Sequence, residues 1–298
     1  MAHQLLYTSA EKGLRPGTRG FCTVAYTKGL APAHIQLLEA LSGYKGLQGT
    51  DGDATSPVSF CHYQSNLLGR DFSILSRLAA IPPDHTGRSN KLAHHYLIHK
   101  RERPANGPAW LSLQPEFFQT FWTPPPRLLD QTALPPATYA PPSPAHAWGD
   151  LTGDCGLASL PAREFLENPA QPLYLVFRPG LEMLPLLAES LALLPPDKRW
   201  EVTYNTFFTQ LPAGTLCAWR CVTPDAEILR EARRTGRGKI LDLTAGQLPA
   251  PPDDALTDAA RHGLPKSPAP REDTKPPSPP KFRLLPPRPV NTLNLKPR

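Results

Sequence analysis

No apolar run in this sequence approaches the ~18 residues that a membrane-spanning helix needs, so an integral helical membrane protein is not expected. The opening Met1-Ala2-His3-Gln4 has no basic flank and no continuous hydrophobic stretch, which argues against a secretory signal. Cysteine is sparse. Five residues (Cys22, Cys61, Cys155, Cys217 and Cys221) are odd in number and widely scattered, a pattern of reduced thiols in the cytoplasm and not of a disulfide framework. Familiar catalytic signatures are missing too. There is no GxxxxGK followed by Ser or Thr to wrap a phosphate, no GxSxG elbow, and no HExxH or CxxC for a metal. Gly236-Arg237-Gly238-Lys239 lacks the first glycine and runs on into Ile240, as a helix cap entering a strand would.

What the sequence does have is proline, 39 residues in 298, about 13% where ~5% is usual. Hydrophobic residues still make up 40%, enough for a real core. The length fits two domains or one large one. Charge and proline are unevenly placed. Residues 247–298 hold 14 prolines and a net charge of +4 out of +6, and the last 25 residues have six cations and no acid. This stretch reads as a disordered, basic polyproline tail. A second proline-rich stretch separates two globular segments. The expected organisation is an α/β (α+β) protein with two mixed-sheet domains, at 1–122 and 148–246. A linker at 123–147 joins them, and a disordered tail at 247–298 follows.

In the first segment, Gln4–Thr8, Phe21–Tyr26, Ser59–Gln64, Phe72–Leu78 and Lys91–Lys100 have the composition of strands. A helix is expected from Pro32 to a cap at Gly43, with Ile35, Leu38 and Leu41 on one face. In the second, strands are expected at Leu173–Phe177, Glu201–Thr206, Leu216–Val222 and Lys239–Leu243. The helices are Met183–Leu194 and one capped by Thr223, with Pro224 first and Gly236 just past its end.

Candidate chemistry is thin. On a strand, Cys217 and Cys221 stand ~13 Å apart, too far for one zinc ion, and with Trp219 they share a core-facing side. His94, His95 and His99 cluster in sequence without a carboxylate pair, and Cys155 lies nine residues after His146; either group is an alternative, enzymatic reading. The group that best suits recognition is Arg70, Asp71, Arg88, Asn90, His94 and His95, able to read a phosphate, a carboxylate or a peptide backbone. Arg283-Leu284-Leu285-Pro286-Pro287-Arg288-Pro289 fits a polyproline ligand pattern, and the tail's cations could attract nucleic acid. Neither a metal nor a cofactor is expected.

Particular strings are more informative than their chemistry. Gln4-Leu5-Leu6-Tyr7-Thr8-Ser9, Gly20-Phe21-Cys22-Thr23-Val24-Ala25, Thr86 to His95, and Gly107-Pro108-Ala109-Trp110-Leu111 resemble the N-terminal domain, type two, of the GTPase-associated proteins of bacterial conflict systems. Leu193-Leu194-Pro195-Pro196, Arg199-Trp200-Glu201-Val202-Thr203-Tyr204 and Cys217-Ala218-Trp219-Arg220 resemble the middle domain of the same architecture. The resemblance implies a cytoplasmic, non-catalytic adaptor or regulator working with a GTPase or another protein of the same gene neighbourhood. It implies no catalytic residues.

Overall fold

The computed structural model describes residues 1–43, 57–67, 69–136, 141–210 and 215–264. β1 (His3–Ala10) and β2 (Gly20–Thr27) form an antiparallel hairpin. Gly29, at a left-handed φ of 80° that suits glycine, turns the chain into α1 (Pro32–Leu41), which has Pro32 in its first turn and Ile35, Leu38 and Leu41 buried. A meander follows, β3 (Ser59–Leu67), β4 (Arg70–Ile81) and β5 (Asn90–His99), and β5 pairs back onto β1. α2 (Pro108–Ser112) leads to β6 (Arg127–Leu129), which adds in parallel to the edge of β2.

The second half mixes helices and short strands. Its elements are α3 (His146–Thr152), α4 (Ser159–Glu167), β7 (Leu173–Val176), α5 (Met183–Ala192), α6 (Pro196–Arg199), β8 (Tyr204–Asn205), β9 (Trp219–Val222), α7 (Glu227–Thr235), β10 (Lys239–Asp242) and α8 (Ala255–His262). β7, β9 and β10 are parallel neighbours, and their buried Leu173-Tyr174-Leu175-Val176 run is that of a strand covered on both faces.

The strands of the two segments, expected as two sheets, belong to one. Among the described residues its order is β10-β7-β9-β8-β3-β4-β5-β1-β2-β6, ten strands. α1 and α7 cover one face, over Leu5, Ile74, Leu97, Val176 and Val222. The other face carries α2, α3, α4, α5 and α8, packed over Leu75, Tyr96, Leu173, Leu175 and Trp219. The described residues belong to one compact unit.

Two-residue β8 joins the halves. It pairs antiparallel with β3 (Cys61 with Asn205, His62 with Tyr204) and parallel with β9 (Tyr204 with Trp219). Side chains supply what so short a ladder cannot. Asn205 Oδ1 accepts from Ser59 Oγ at 3.0 Å and Phe207 N at 2.8 Å, and its Nδ2 donates to the Tyr63 hydroxyl at 3.0 Å. Thr206 Oγ1 accepts from Phe60 N at 2.8 Å. Behind the ladder, Trp200 Nε1 donates to Pro104 O at 2.6 Å. Buried Arg199 donates to Leu194 O and Ala192 O at the end of α5, and to Ala105 O in the first segment. Gly107, at φ 94°, lets that loop approach, because a Cβ there would meet the Arg199 Cβ at 3.0 Å.

Several boundaries differ from those expected. The strands at Glu201–Thr206 and Leu216–Val222 shrink to Tyr204–Asn205 and Trp219–Val222, because Ala218 N and Trp219 N both bond back to Thr203 O and bend the chain. That bend sends Cys217 to the α7 side of the sheet, away from Trp219 and Cys221. α7 starts at Glu227 behind Ala226, with no side-chain cap, so Thr223 does not cap it; Gly236 does end it, at φ 65°. The proline-rich linker contains β6 and reaches the second residue of α3, Ala147. Part of the expected tail is folded. Asp254 caps α8 by accepting from Leu256 N and Thr257 N, and Arg261 makes a two-pronged contact with Asp154 at 3.0 Å. The remainder of that tail, from residue 265, lies outside the described residues.

Replacing Asn205 by Leu is expected to destabilise the protein by about 3 kcal/mol, since it strands a buried amide and two hydroxyls at about 1–3 kcal/mol each. Urea unfolding monitored by tryptophan fluorescence checks this, and a loss under about 0.5 kcal/mol, no more than a surface substitution costs, contradicts it.

Candidate functional site

The polar residues singled out in the sequence are not brought together. Arg70 and Asp71 open β4, whereas Asn90 opens β5 opposite Ile81 at the other end of β4. Eleven strand steps at ~3.3 Å separate those ends by ~36 Å. Asp71 accepts from Asn66 Nδ2 at 2.7 Å across the β3–β4 hairpin. Asn90 is occupied as well. Its Oδ1 accepts from Ser9 N at 3.0 Å and Thr8 Oγ1 at 3.1 Å, and its Nδ2 donates to Ser9 O, tying the β4–β5 turn to β1. Within that turn Asp84 accepts from Thr86 N, Thr86 Oγ1, Arg88 N and Ser9 Oγ, bonds that hold its carboxyl well below the usual carboxylate range. Arg88 itself is exposed.

His94 and His95 are adjacent on β5, so strand alternation points them to opposite faces, and both are fully buried. Gln119 N donates to His94 Nδ1 at 2.9 Å, which leaves the proton on Nε2 to donate to Gln4 Oε1 at 3.0 Å. Ser76 Oγ donates to His95 Nδ1 at 2.7 Å; His95 Nε2 donates to Ser42 Oγ at 2.9 Å, and Ser42 donates onward to Leu38 O. His99 shares the His95 face but stands ~13 Å along the strand, where its Nδ1 accepts from Arg101 N. The three rings therefore do not converge, and the enzymatic reading that used them has no centre. A third buried ring, His62, has no such sequence neighbour to flag it. Its Nδ1 donates to Val202 O at 2.7 Å and its Nε2 accepts from Ser73 Oγ at 2.9 Å, across the junction of the two halves. Burial pushes His62, His94 and His95 each down to about 3, so all three are neutral at pH 7.

The Cys155 alternative fares no better. Its sulfur packs where a Cβ on Gly149 would lie 2.7 Å away, while His146 is exposed near Glu189, and no hydrogen bond joins the two. Burial raises the Cys61 thiol to about 11 and raises Cys217 and Cys221 as well, the opposite of an activated nucleophile. Among the described residues no three His, Cys, Asp or Glu side chains are grouped as metal ligands would be, and no helix is long and apolar enough to cross a membrane.

Two contact networks use strings noted in the sequence: the hairpin sheet that carries Thr86 to His95, and the seam that carries Arg199 to Tyr204. Both strings fall inside matches to known domains. Residues 1–138 match GTPase-associated protein 1, N-terminal domain type 2, and residues 161–245 match the GTPase-associated protein 1 middle domain, together about three quarters of the chain. The chain belongs to the GTPase-associated protein 1 family. No curated protein and no solved structure matches it. In this family member the string from Thr86 to His95 supplies the Asn90 tie and the two internal imidazoles, and the string from Arg199 to Tyr204 supplies the seam.

Beside Asn90 lies a groove of about 670 Å³ between the β1 end, the β4–β5 turn and residues 121–126. Phe121 at its rim is 70% exposed. Trp122 lies half-buried with Arg127 4.6 Å over its ring, and its buried Nε1 has no hydrogen-bond partner. The sequence places Phe121 and Trp122 at the end of the first segment and residues 123–126 in the linker; the signal available for the groove was this aromatic pair directly before a proline run.

The buried imidazoles fix the acid response. Their folded values lie below the ordinary value of 6.5, so the unfolded chain takes up protons first; the stability they contribute is complete above pH 6.5 and is lost as pH falls toward 3. Each ring removes on the order of 1.4 kcal/mol per pH unit in that window. Urea midpoints measured from pH 7.5 to 4.5 should fall steeply below pH 6, and a flat midpoint down to pH 5 contradicts neutral burial.

Proposed function

We propose that this protein is a non-catalytic adaptor or regulator that binds a GTPase encoded in its own gene neighbourhood, in the cytoplasm, as part of a bacterial conflict system. Its family description, a GTPase-associated protein, names the class of partner. The observation that carries the non-catalytic part is the engagement of the buried imidazoles His62, His94 and His95, whose ring nitrogens all hydrogen-bond within the fold. Function is left to surfaces. The groove beside the β4–β5 turn supports this reading, since it combines an exposed aromatic ring, an unpartnered indole N–H and a nearby exposed arginine, the residue types that anchor protein interfaces. Of the recognition residues expected from sequence, Arg88 and Asn90 stay in this role, Asn90 by shaping the turn and Arg88 by direct contact; His94 and His95 act inside the fold.

The purified neighbouring GTPase, titrated calorimetrically in its GTP and GDP states, tests the proposal. Arg88→Glu combined with Phe121→Ser should weaken capture at least tenfold while leaving the melting temperature unchanged, since both side chains are exposed. Unchanged affinity, or GTPase binding absent in the parent protein, contradicts it.

A further inference from the structure

A separate cavity of about 340 Å³ opens where the start of β1, the Gly29–Leu30–Ala31 turn and the start of β4 meet. Two imidazoles line it, and each presents a buried nitrogen without a hydrogen-bond partner, His3 Nδ1 and His34 Nε2. The Gln131 amide donates to His3 Nε2 at 3.2 Å, so the proton of that ring sits on Nδ1, the atom left unpartnered. His34 is only 7% exposed, and its ring is held edge-on to Phe72 at 4.9 Å, with Phe72 in turn edge-on to His99 at 5.6 Å. Such a ring cannot swing out to find water, and a buried imidazole nitrogen with nothing to bond is costly unless a ligand supplies the partner.

Three further features give the cavity its sign. Arg70 lines it and is exposed, bringing a guanidinium to the mouth. The ten-residue α1 begins at its edge, and no side chain caps that N-terminus: the cap position is Ala31, and Pro32 has no N–H. The positive end of the helix dipole is therefore not offset by the chain itself. The nearest acid acting on His3 is Glu102, and it is ion-paired to the N-terminal ammonium. Burial lowers both imidazoles, and His3 lowers His34 further, so the rings enter as neutral hydrogen-bonding groups and the net charge comes from Arg70. With Arg70 as the charged side chain lining the cavity, an oxyanion is favoured over a cation: it meets a guanidinium, an imidazole N–H and a helix start that no side chain caps.

We propose that this cavity is a binding site for a phosphate group, free or carried by a small ester, held by Arg70, His3 Nδ1, His34 Nε2 and the first turn of α1. The volume accommodates a phosphate with room for a small substituent, and a guanidinium fork suits phosphate oxygens. This site lies on β4 at the opposite end from the Arg88 turn, so it stands apart from the proposed GTPase surface and does not depend on it.

Calorimetric titration of the full chain with inorganic phosphate, with glycerol phosphate, and with acetate at matched ionic strength is the test. Either phosphate probe should bind saturably, the tighter one naming the source, and its addition should shift the side-chain nitrogen NMR signals of His3 and His34. Arg70→Ala should weaken that binding at least tenfold with the melting temperature of the ligand-free protein unchanged; because Arg70 is exposed, this variant avoids the misfolding that His34→Ala risks. Absence of saturable phosphate binding, binding that Arg70→Ala leaves intact, or acetate binding as tightly as phosphate would overturn the proposal.

Discussion

The structure depends on the pairing of β3 with two residues, Tyr204 and Asn205. On the β3 side of that pair every pairing is antiparallel except that of β6 at the outer edge of β2, and on the other side every pairing is parallel; β6 apart, the two kinds of sheet meet only here among the described residues. Two residues of ladder contribute little by themselves. The seam holds because Asn205, Thr206, His62 and Arg199 each hydrogen-bond to a polar group on its far side (Tyr63, Phe60 N, Val202 O and Ala105 O), and because the Trp200 indole bonds to Pro104 O from one half to the other. In a dry interior such a network is stable only when every member is satisfied, which makes the joint specific as well as strong.

That requirement explains where the polar chemistry has gone. His62, His94 and His95 sit at positions where a sheet buried on both faces would otherwise take Val or Leu, and each finds a partner in another part of the fold. His94 reaches Gln4 and the Gln119 amide; His95 reaches Ser42 at the end of α1; His62 reaches Val202 beyond the seam. They fasten helices and loops to the sheet, and neutrality is a condition of doing so. On the proposed reading, function falls to what remains exposed, the aromatic groove beside the β4–β5 turn, and to the cavity where the His3 and His34 ring nitrogens are left without a partner.

Much of the fold was legible in the sequence, and the reasons are local. β1, β2, β3, β4, β5 and β7 announce themselves by β-branched and aromatic composition between turns, and α1 by Pro32 and the spacing of Ile35, Leu38 and Leu41. β8 and the start of β9 were overread because a strand-like run from Glu201 to Thr206 is interrupted by long-range bonds to Thr203 O, which no local pattern encodes. α8 was hidden by the prolines before it, although Asp254 with Thr257 three residues on was a usable cap signal. The site was read less well. Sequence proximity joined Arg88, Asn90 and His94, whereas strand alternation and twelve residues of β4 separate them from one another and from Arg70. His3 and His34, 31 positions apart and carried by a strand and a helix, had no pattern to connect them.

If the seam makes the two matched segments one folding unit, then heat should unfold them together. Differential scanning calorimetry of the full chain is the direct measurement. A single transition whose calorimetric and van't Hoff enthalpies agree is the expected result. Two resolved transitions, with tryptophan signals from Trp148 and Trp219 lost at a different temperature from the amide protection of β4 and β5, would contradict it.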